Sequence, residues 1–403
     1  MKYTFFSWCL FFGMGIGTGI AAFLMEILEE FLIHYKWKAT QYFLNHDMFW
    51  GAMMMFLLLS VLLGAVAGGM TVYWGPGAAG SGLAETMAYI NGVNYPGFIG
   101  VSTLITKILG VIFAVAATLK IGKEGPLAHI GSIIGVGMIY MPWSFSRNFR
   151  NDSNKRLLVA SGAGVGVAVA FGAPIGGTLF AFEVAKSTPF FNFSLAWKTF
   201  LATALACFTI NLLVALKEGT TLDIVNGGLI KFGHLENVNF KLSNLPEFII
   251  IGCVSGVIGS LFIWGNVKVT KWRKRNLTSK NRKFAEVLAL TFIIALITFI
   301  LPLATNVCTE NSDDPDQIKE DVPGLRYLCP ENSYNTLASL LFNTEGETLR
   351  YFFSHDAEIK AWVSFIFFLY WFIFTLISYG TAVPAGLFFP GMLIGCSIAH
   401  TIS

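Results

Sequence analysis

Between two apolar stretches, roughly 99–121 and 127–141, the chain reads Gly122-Lys123-Glu124-Gly125-Pro126. A carboxylate at membrane depth costs about 2.5–3.5 kcal/mol or more at a helix centre. A segment of this kind therefore has to shelter its acid in protein or in a polar path. The flanking glycines allow close backbone approach, and Pro126 suits a first helical turn. The stretch predicts a helix N-terminus aimed at an anion, with the Glu124 side chain beside it. The run after it is apolar apart from His129 and Ser132.

The surrounding sequence supports a bilayer setting. Of 403 residues, 55% are hydrophobic and only 13% charged, with a mean hydropathy of +0.64. That excludes an ordinary water-soluble domain and leaves room for about ten spans of roughly 20 residues. The formal net charge of +3 points to no nucleic acid. The distribution of charge says more. Basic residues crowd 143–156 and 268–283, which predicts cytoplasmic connections. Acidic residues (Glu310, Asp313, Asp314, Asp316, Glu320, Asp321, Glu331) fill a loop over 303–360, which is expected on the opposite, extracellular or luminal side. His355 and Asp356 in it read as solvated surface. Cys308 and Cys329 share this loop and would pair on an oxidising side. Cys9, Cys207, Cys253 and Cys396 lie in apolar runs, and no cysteine or histidine pair has metal-ligand spacing.

Spans are expected over 4–33, 50–74, 99–121, 195–216, 246–267, 284–302 and 361–379. The first is too long for a signal peptide. Glu26, Glu29 and Glu30 fall towards its end and read as interfacial. Gly64, Gly68 and Gly69 suit helix packing. Residues 157–186 are broken at Gly172-Ala173-Pro174, which suggests two half-helices, each too short to cross alone. The sequence stops inside an apolar stretch, as a fragment of a longer chain would.

Three glycine-rich breaks recur, at Gly80-Ser81-Gly82, at Glu124, and at Gly386-Leu387-Phe388, each leading into a helix start. Glu85 follows the first in a position that favours the positive end of a helix. Converging helix N-termini would offer N–H donors and partial positive charge without a full cation, which suits passage of a small anion. A nucleotide-binding P-loop is excluded, since no break has the Gly-x4-Gly-Lys-Ser/Thr spacing. Catalysis by Ser81 would need a base, and none lies near it in sequence.

These residues resemble the CLC chloride channels and chloride/proton exchangers. Gly80-Ser81-Gly82-Leu83-Ala84-Glu85 is similar to that family's GSGIPE, Gly122 to Pro126 to its GK/REGP, and Gly386-Leu387-Phe388-Phe389-Pro390 to its GxFxP. The stretch 171–180 also matches, and 329–335 is similar to the intracellular eukaryotic and plant branches. The resemblance implies an all-α polytopic membrane protein, an inverted repeat of residues 1–186 and 195–403 with broken and re-entrant helices converging on an anion site. It implies a homodimer in an endomembrane (lysosome- or vacuole-like) or the plasma membrane, with chloride as transported ion and no cofactor. Ser81, with Gly82, and the N–H groups of Leu387 and Phe388 would hold chloride; Gly122 and Gly125 would frame the site; Glu124 would be the gate. Ala84 replaces the motif's proline. Val184 stands where exchangers carry an inner proton-relaying glutamate, and an apolar side chain relays no proton, so a voltage-gated channel is expected over an antiporter, with a non-conducting fragment of either as the remaining alternative. Glu183 is one residue off that position. The family's late pore helix, with its tyrosine, and its CBS domains would lie beyond Ser403.

Overall fold

A computed structural model of the chain describes residues 2–142, 144–185, 193–219, 242–305, 307–310, 325–330, 333–353 and 359–402. In chain order the helices are α1 (Lys2–Leu44), α2 (Phe49–Gly69), α3 (Leu83–Ile90), α4 (Val101–Ala116), α5 (Glu124–Tyr140), α6 (Asp152–Phe171), α7 (Pro174–Ala185), α8 (Phe193–Glu218), α9 (Leu245–Asn276) and α10 (Lys280–Thr305). Two short strands, β1 (Cys308–Glu310) and β2 (Ser333–Asn335), pair antiparallel with Cys308 opposite Asn335. Then come α11 (Thr336–Phe342), α12 (Glu345–Phe353), α13 (Ala361–Ser378) and α14 (Phe388–Ile402).

Among the described residues, six helices are long and apolar enough to cross a membrane: α1, α2 with its continuation to Trp74, α8, α9, α10 and α13. The most apolar window of α9 has none of its residues buried. An apolar helix that exposes its side chains in this way is built to meet lipid. Among the described residues the two largest apolar cores hold much of the rest. The larger joins α1, α4, α5, α6 and α8 through Met14, Met25, Ile112, Ile130, Val165 and Ile210. The other joins α11 to α14 through Leu337, Leu349, Val363, Phe367, Phe389 and Leu393. Gly64 and Gly68 do pack closely, on Thr291 and Val287 of α10.

Several boundaries differ from the sequence reading. Helix α1 runs on to Leu44, so Glu29 is inside the protein and 2% exposed rather than interfacial. The 99–121 run yields a helix of only 16 residues, about 24 Å long and too short to cross alone. It ends where Thr118 takes φ +70°. Of the two half-helices, α7 is short at 12 residues, but α6 has 20; its charged first turn had concealed its length. They part at Gly172, left-handed at φ 62°, and α7 restarts with its proline first, the usual stop and start. The basic stretch 268–283 is mostly helix, shared by α9 and α10. The acidic loop is not all loop, because Leu337, Leu341 and Leu349 of α11 and α12 are core residues. Cys308 and Cys329 form a disulfide with a Cα–Cα distance of 5.8 Å. Asp313, Asp314, Asp316, Glu320, Asp321, Glu331, His355 and Asp356 lie outside the described residues.

Candidate functional site: three helix N-termini at one junction

The three glycine-rich breaks meet. Gly80 N–H donates to the Val383 carbonyl (2.9 Å), and Ala385 N–H donates to the Gly80 carbonyl (3.1 Å). Gly122 and Gly386 exchange both backbone bonds, at 2.9 and 2.7 Å. These bridges tie the starts of α3, α5 and α14 together from positions more than 260 residues apart in the case of Gly122 and Gly386. The glycines are required by contact. A Cβ on Gly125 would stand 2.9 Å from Ser81 Cβ and 3.4 Å from Gly386 Cα, and one on Gly122 would meet the Glu124 carboxylate. Gly82 caps α3 in the left-handed region, φ 79°, where a side chain would also run into the His129 ring.

Ser81 Oγ accepts from Leu83 N–H at 3.3 Å. That bond uses an oxygen lone pair and leaves the hydroxyl hydrogen free to donate. At α14 the Gly391 N–H is bonded back to the Leu387 carbonyl, and Pro390 has no N–H. The N–H groups of Leu387, Phe388 and Phe389 therefore precede the helix's own hydrogen bonding. Glu124, the first residue of α5 and 1% exposed, reaches into this helix end: its Oε2 accepts from Phe389 N–H at 3.4 Å. Its Oε1 has no hydrogen-bond partner among the described residues. An anionic group thus lies at the positive end of α14, the place such a helix offers to an anion. The Phe388 side chain is half-exposed and meets Phe171 edge-on at 6.0 Å. Val184 is on α7, which packs on α6, α8 and α3, and it is partly buried against the main apolar core. Glu183 beside it is exposed.

The breaks do have basic partners, contrary to the sequence reading. Lys107, fully buried on α4, donates to the carbonyls of Ala78 (3.0 Å) and Gly80 (2.8 Å). Lys123 pairs with Glu29 at 3.1 Å. The Lys120 ammonium lies over the rings of Tyr370 (5.2 Å) and Trp371 (4.7 Å). Each full positive charge is thereby engaged by carbonyls, a carboxylate or aromatic faces. Sequence reasoning also missed Phe389 as donor and His129 as the wall behind Gly82. His129 stacks on Phe98 at 4.5 Å and contacts its carbonyl at 3.0 Å. Nothing local in the sequence pointed to it, because Gly82 and His129 are 47 residues apart.

The chain is 32% identical over 420 residues to the Chloride channel protein CLC-c of Arabidopsis thaliana, a match covering 100% of this chain and 53% of that protein. It is 31% identical over 404 residues to the H(+)/Cl(-) exchange transporter 7 of Homo sapiens, covering 97% and 49%. The chain thus spans about half the length of the curated relatives it matches. Its fold resembles the crystal structure of a slow cyanobacterial Cl-/H+ antiporter, with a TM-score of 0.69 at 20% identity, over 97% of this chain and 78% of that one. The sequence profile of the voltage gated chloride channels matches residues 63–403, which takes in all three breaks and Glu124. A junction of three glycine-bounded helix starts, with a buried glutamate at its centre and that profile running through it, places the chain in the voltage-gated chloride channel (CLC) family.

Proposed function

We propose that this chain forms the anion pathway of a voltage-gated chloride channel, gated by Glu124. The observation that carries the reading is the Glu124 carboxylate bonded to the Phe389 N–H at the start of α14. A carboxylate there takes the place of a permeating anion, and its protonation or withdrawal frees the donors of Leu387, Phe388 and Phe389. The Ser81 hydroxyl supplies a further donor from the α3 side. Chloride is cargo, and the chemistry is electrostatic and not catalytic. Weak partial charges suit a conducting site because they let the ion leave again. In this reading residues 1–186 and 195–403 are inverted halves, and the site lies between them. The protein is a homodimer with a pore in each subunit, resident in an endomembrane of lysosome or vacuole type or in the plasma membrane.

The second reading is a chloride/proton antiporter, favoured by the likeness to an exchange transporter. Val184 weighs against it, since the position carries no proton acceptor. The test is the reversal potential of chloride current across a pH gradient at fixed chloride. A channel gives no shift, and a shift with pH establishes coupled exchange and overturns the first reading. In the same recordings Glu124→Ala is expected to leave conduction largely independent of pH and voltage. Gating like that of the unaltered protein would remove Glu124 from its role.

A further inference from the structure

Glu124 is not a solitary buried acid. Glu345, the first residue of α12, is 8% exposed, and its Oε2 has no hydrogen-bond partner among the described residues. It lines a narrow cavity of ≈ 30 Å³ together with Lys36 of α1, Lys120, Thr348 and Trp371 of α13. The Trp371 indole N–H, buried at the same cavity, also has no partner among the described residues. Lys36 donates to the Ala116 carbonyl at 2.5 Å and lies over the Phe56 ring. The cavity thus holds an open acceptor and an open donor between two buried ammonium groups.

The cavity adjoins the gate along the chain: Lys120 precedes Glu124 by four residues, and Lys123 between them pairs with Glu29. Glu345 is within electrostatic range of Glu124, Glu29, Lys123 and Lys120, and Lys120 is within range of Lys36. Half-buried Glu26 reaches Lys123. Of the other elements packed on α12, α14 brings His400 against Phe352 further along the helix, α11 carries no titratable side chain, and α13 brings Tyr370 beneath Lys120. On α12 itself, Glu347 accepts from the Thr344 N–H and hydroxyl, and Arg350 follows Glu345 by five residues, about one and a half helical turns. In a poorly screened interior such charges act over longer distances than at a surface.

We propose that Glu345 and Lys120 form a second titratable site, coupled through charge to Glu124, that sets the pH at which the gate opens. The proposal rests on the reading of Glu124 as the gate. An ionised Glu345 opposes ionisation of Glu124 and so favours the protonated, open gate. The Lys120 ammonium acts in the opposite sense. Glu345 is a positioning residue in this scheme, because it acts on the ion only through Glu124.

The experiment is chloride flux through the reconstituted full chain as a function of pH. Glu345→Gln should move the pH of half-maximal flux about one unit to the acid side, and Lys120→Met should move it to the alkaline side. Glu345→Asp, which keeps the charge, should restore the original profile. In a Glu124→Gln background neither substitution should move the profile. Shifts that persist in that background, or an unmoved profile for both single variants, overturn the proposal. If Glu124→Gln alone leaves the pH dependence intact, the fault lies with the gate assignment instead. Should Glu345→Gln fail to fold, Lys120→Met decides the matter by the sign of its shift, with Glu345→Asp expected to keep the original profile.

Discussion

Ser81 shows how much one hydroxyl can be asked to do. Its oxygen accepts from Leu83 N–H, which holds the first turn of α3, while its hydrogen stays free for an anion. Ser81→Pro removes the hydroxyl and the residue's own N–H. Chloride, with its concentrated charge, loses more by this than nitrate, whose charge is spread over more than one oxygen. The nitrate-to-chloride permeability ratio is expected to rise about fivefold, the worth of a hydrogen bond of about 1 kcal/mol. Bi-ionic reversal potentials measure it, and an unchanged ratio would exclude the hydroxyl from the ion's coordination. The placement of Ser81, Glu124 and Leu387 at helix starts was legible in the sequence because glycine and proline punctuate the chain locally, whatever it folds against. The Lys123–Glu29 and Lys107–Gly80 pairs were not, being 94 and 27 residues apart in sequence. Nothing local separates an interfacial glutamate from one whose lysine arrives from another helix. Phe389 was overlooked for a related reason. Its N–H is singled out only by where the Glu124 carboxylate arrives in three dimensions.

At the scale of elements, the basic end of α9 does more than mark a side of the membrane. Arg273, 6% exposed, donates to the carbonyls of Ile377 and Tyr379 at the end of α13 and pairs with Glu286 of α10 at 2.5 Å. Asn266 adds donations to the Leu376 and Tyr379 carbonyls at 3.0 and 3.2 Å. These bonds satisfy the C-terminal carbonyls of α13. They also anchor the segment that carries Val383 to Gly80 and Gly386 to Gly122. Charge counting along the sequence treats every residue of 268–283 alike, and so it could not distinguish Arg273 from its exposed neighbour Lys271. Arg273→Met should lower stability by about 3 kcal/mol, since it strands Glu286 and two carbonyls. It should also reduce chloride flux by loosening the α14 side of the junction. Lys271→Met should do neither. Thermal melting and flux of the purified variants check this, and equal behaviour of the two would show the clamp to be dispensable.

At the scale of the whole molecule, the helices and breaks were readable because apolar length and glycine–proline punctuation report directly on membrane depth. The burial of α11 and α12 was not. Their sequence follows an acidic run and is too short to read as a span, so only its partners α13 and α14 reveal it as core. The disulfide joins the two scales, because it ties β1, just past α10, to the approach to β2 across 21 residues. Between the basic end of α9 and this bridge the chain makes one described crossing, α10, which is 26 residues long and so about 39 Å from end to end. That length exceeds the hydrocarbon core of about 30 Å. The bridge and the basic turn should therefore face opposite compartments, with the bridge on the oxidising side. In sealed, oriented vesicles, an impermeant reductant followed by an impermeant maleimide should label Cys308 and Cys329 only when applied to the non-cytoplasmic face. The same treatment of a Cys308→Ser, Cys329→Ser variant sets the background from Cys253, which is exposed, and the other free thiols. Reduction-dependent labelling from the cytoplasmic face would invert the arrangement of α9 and α10.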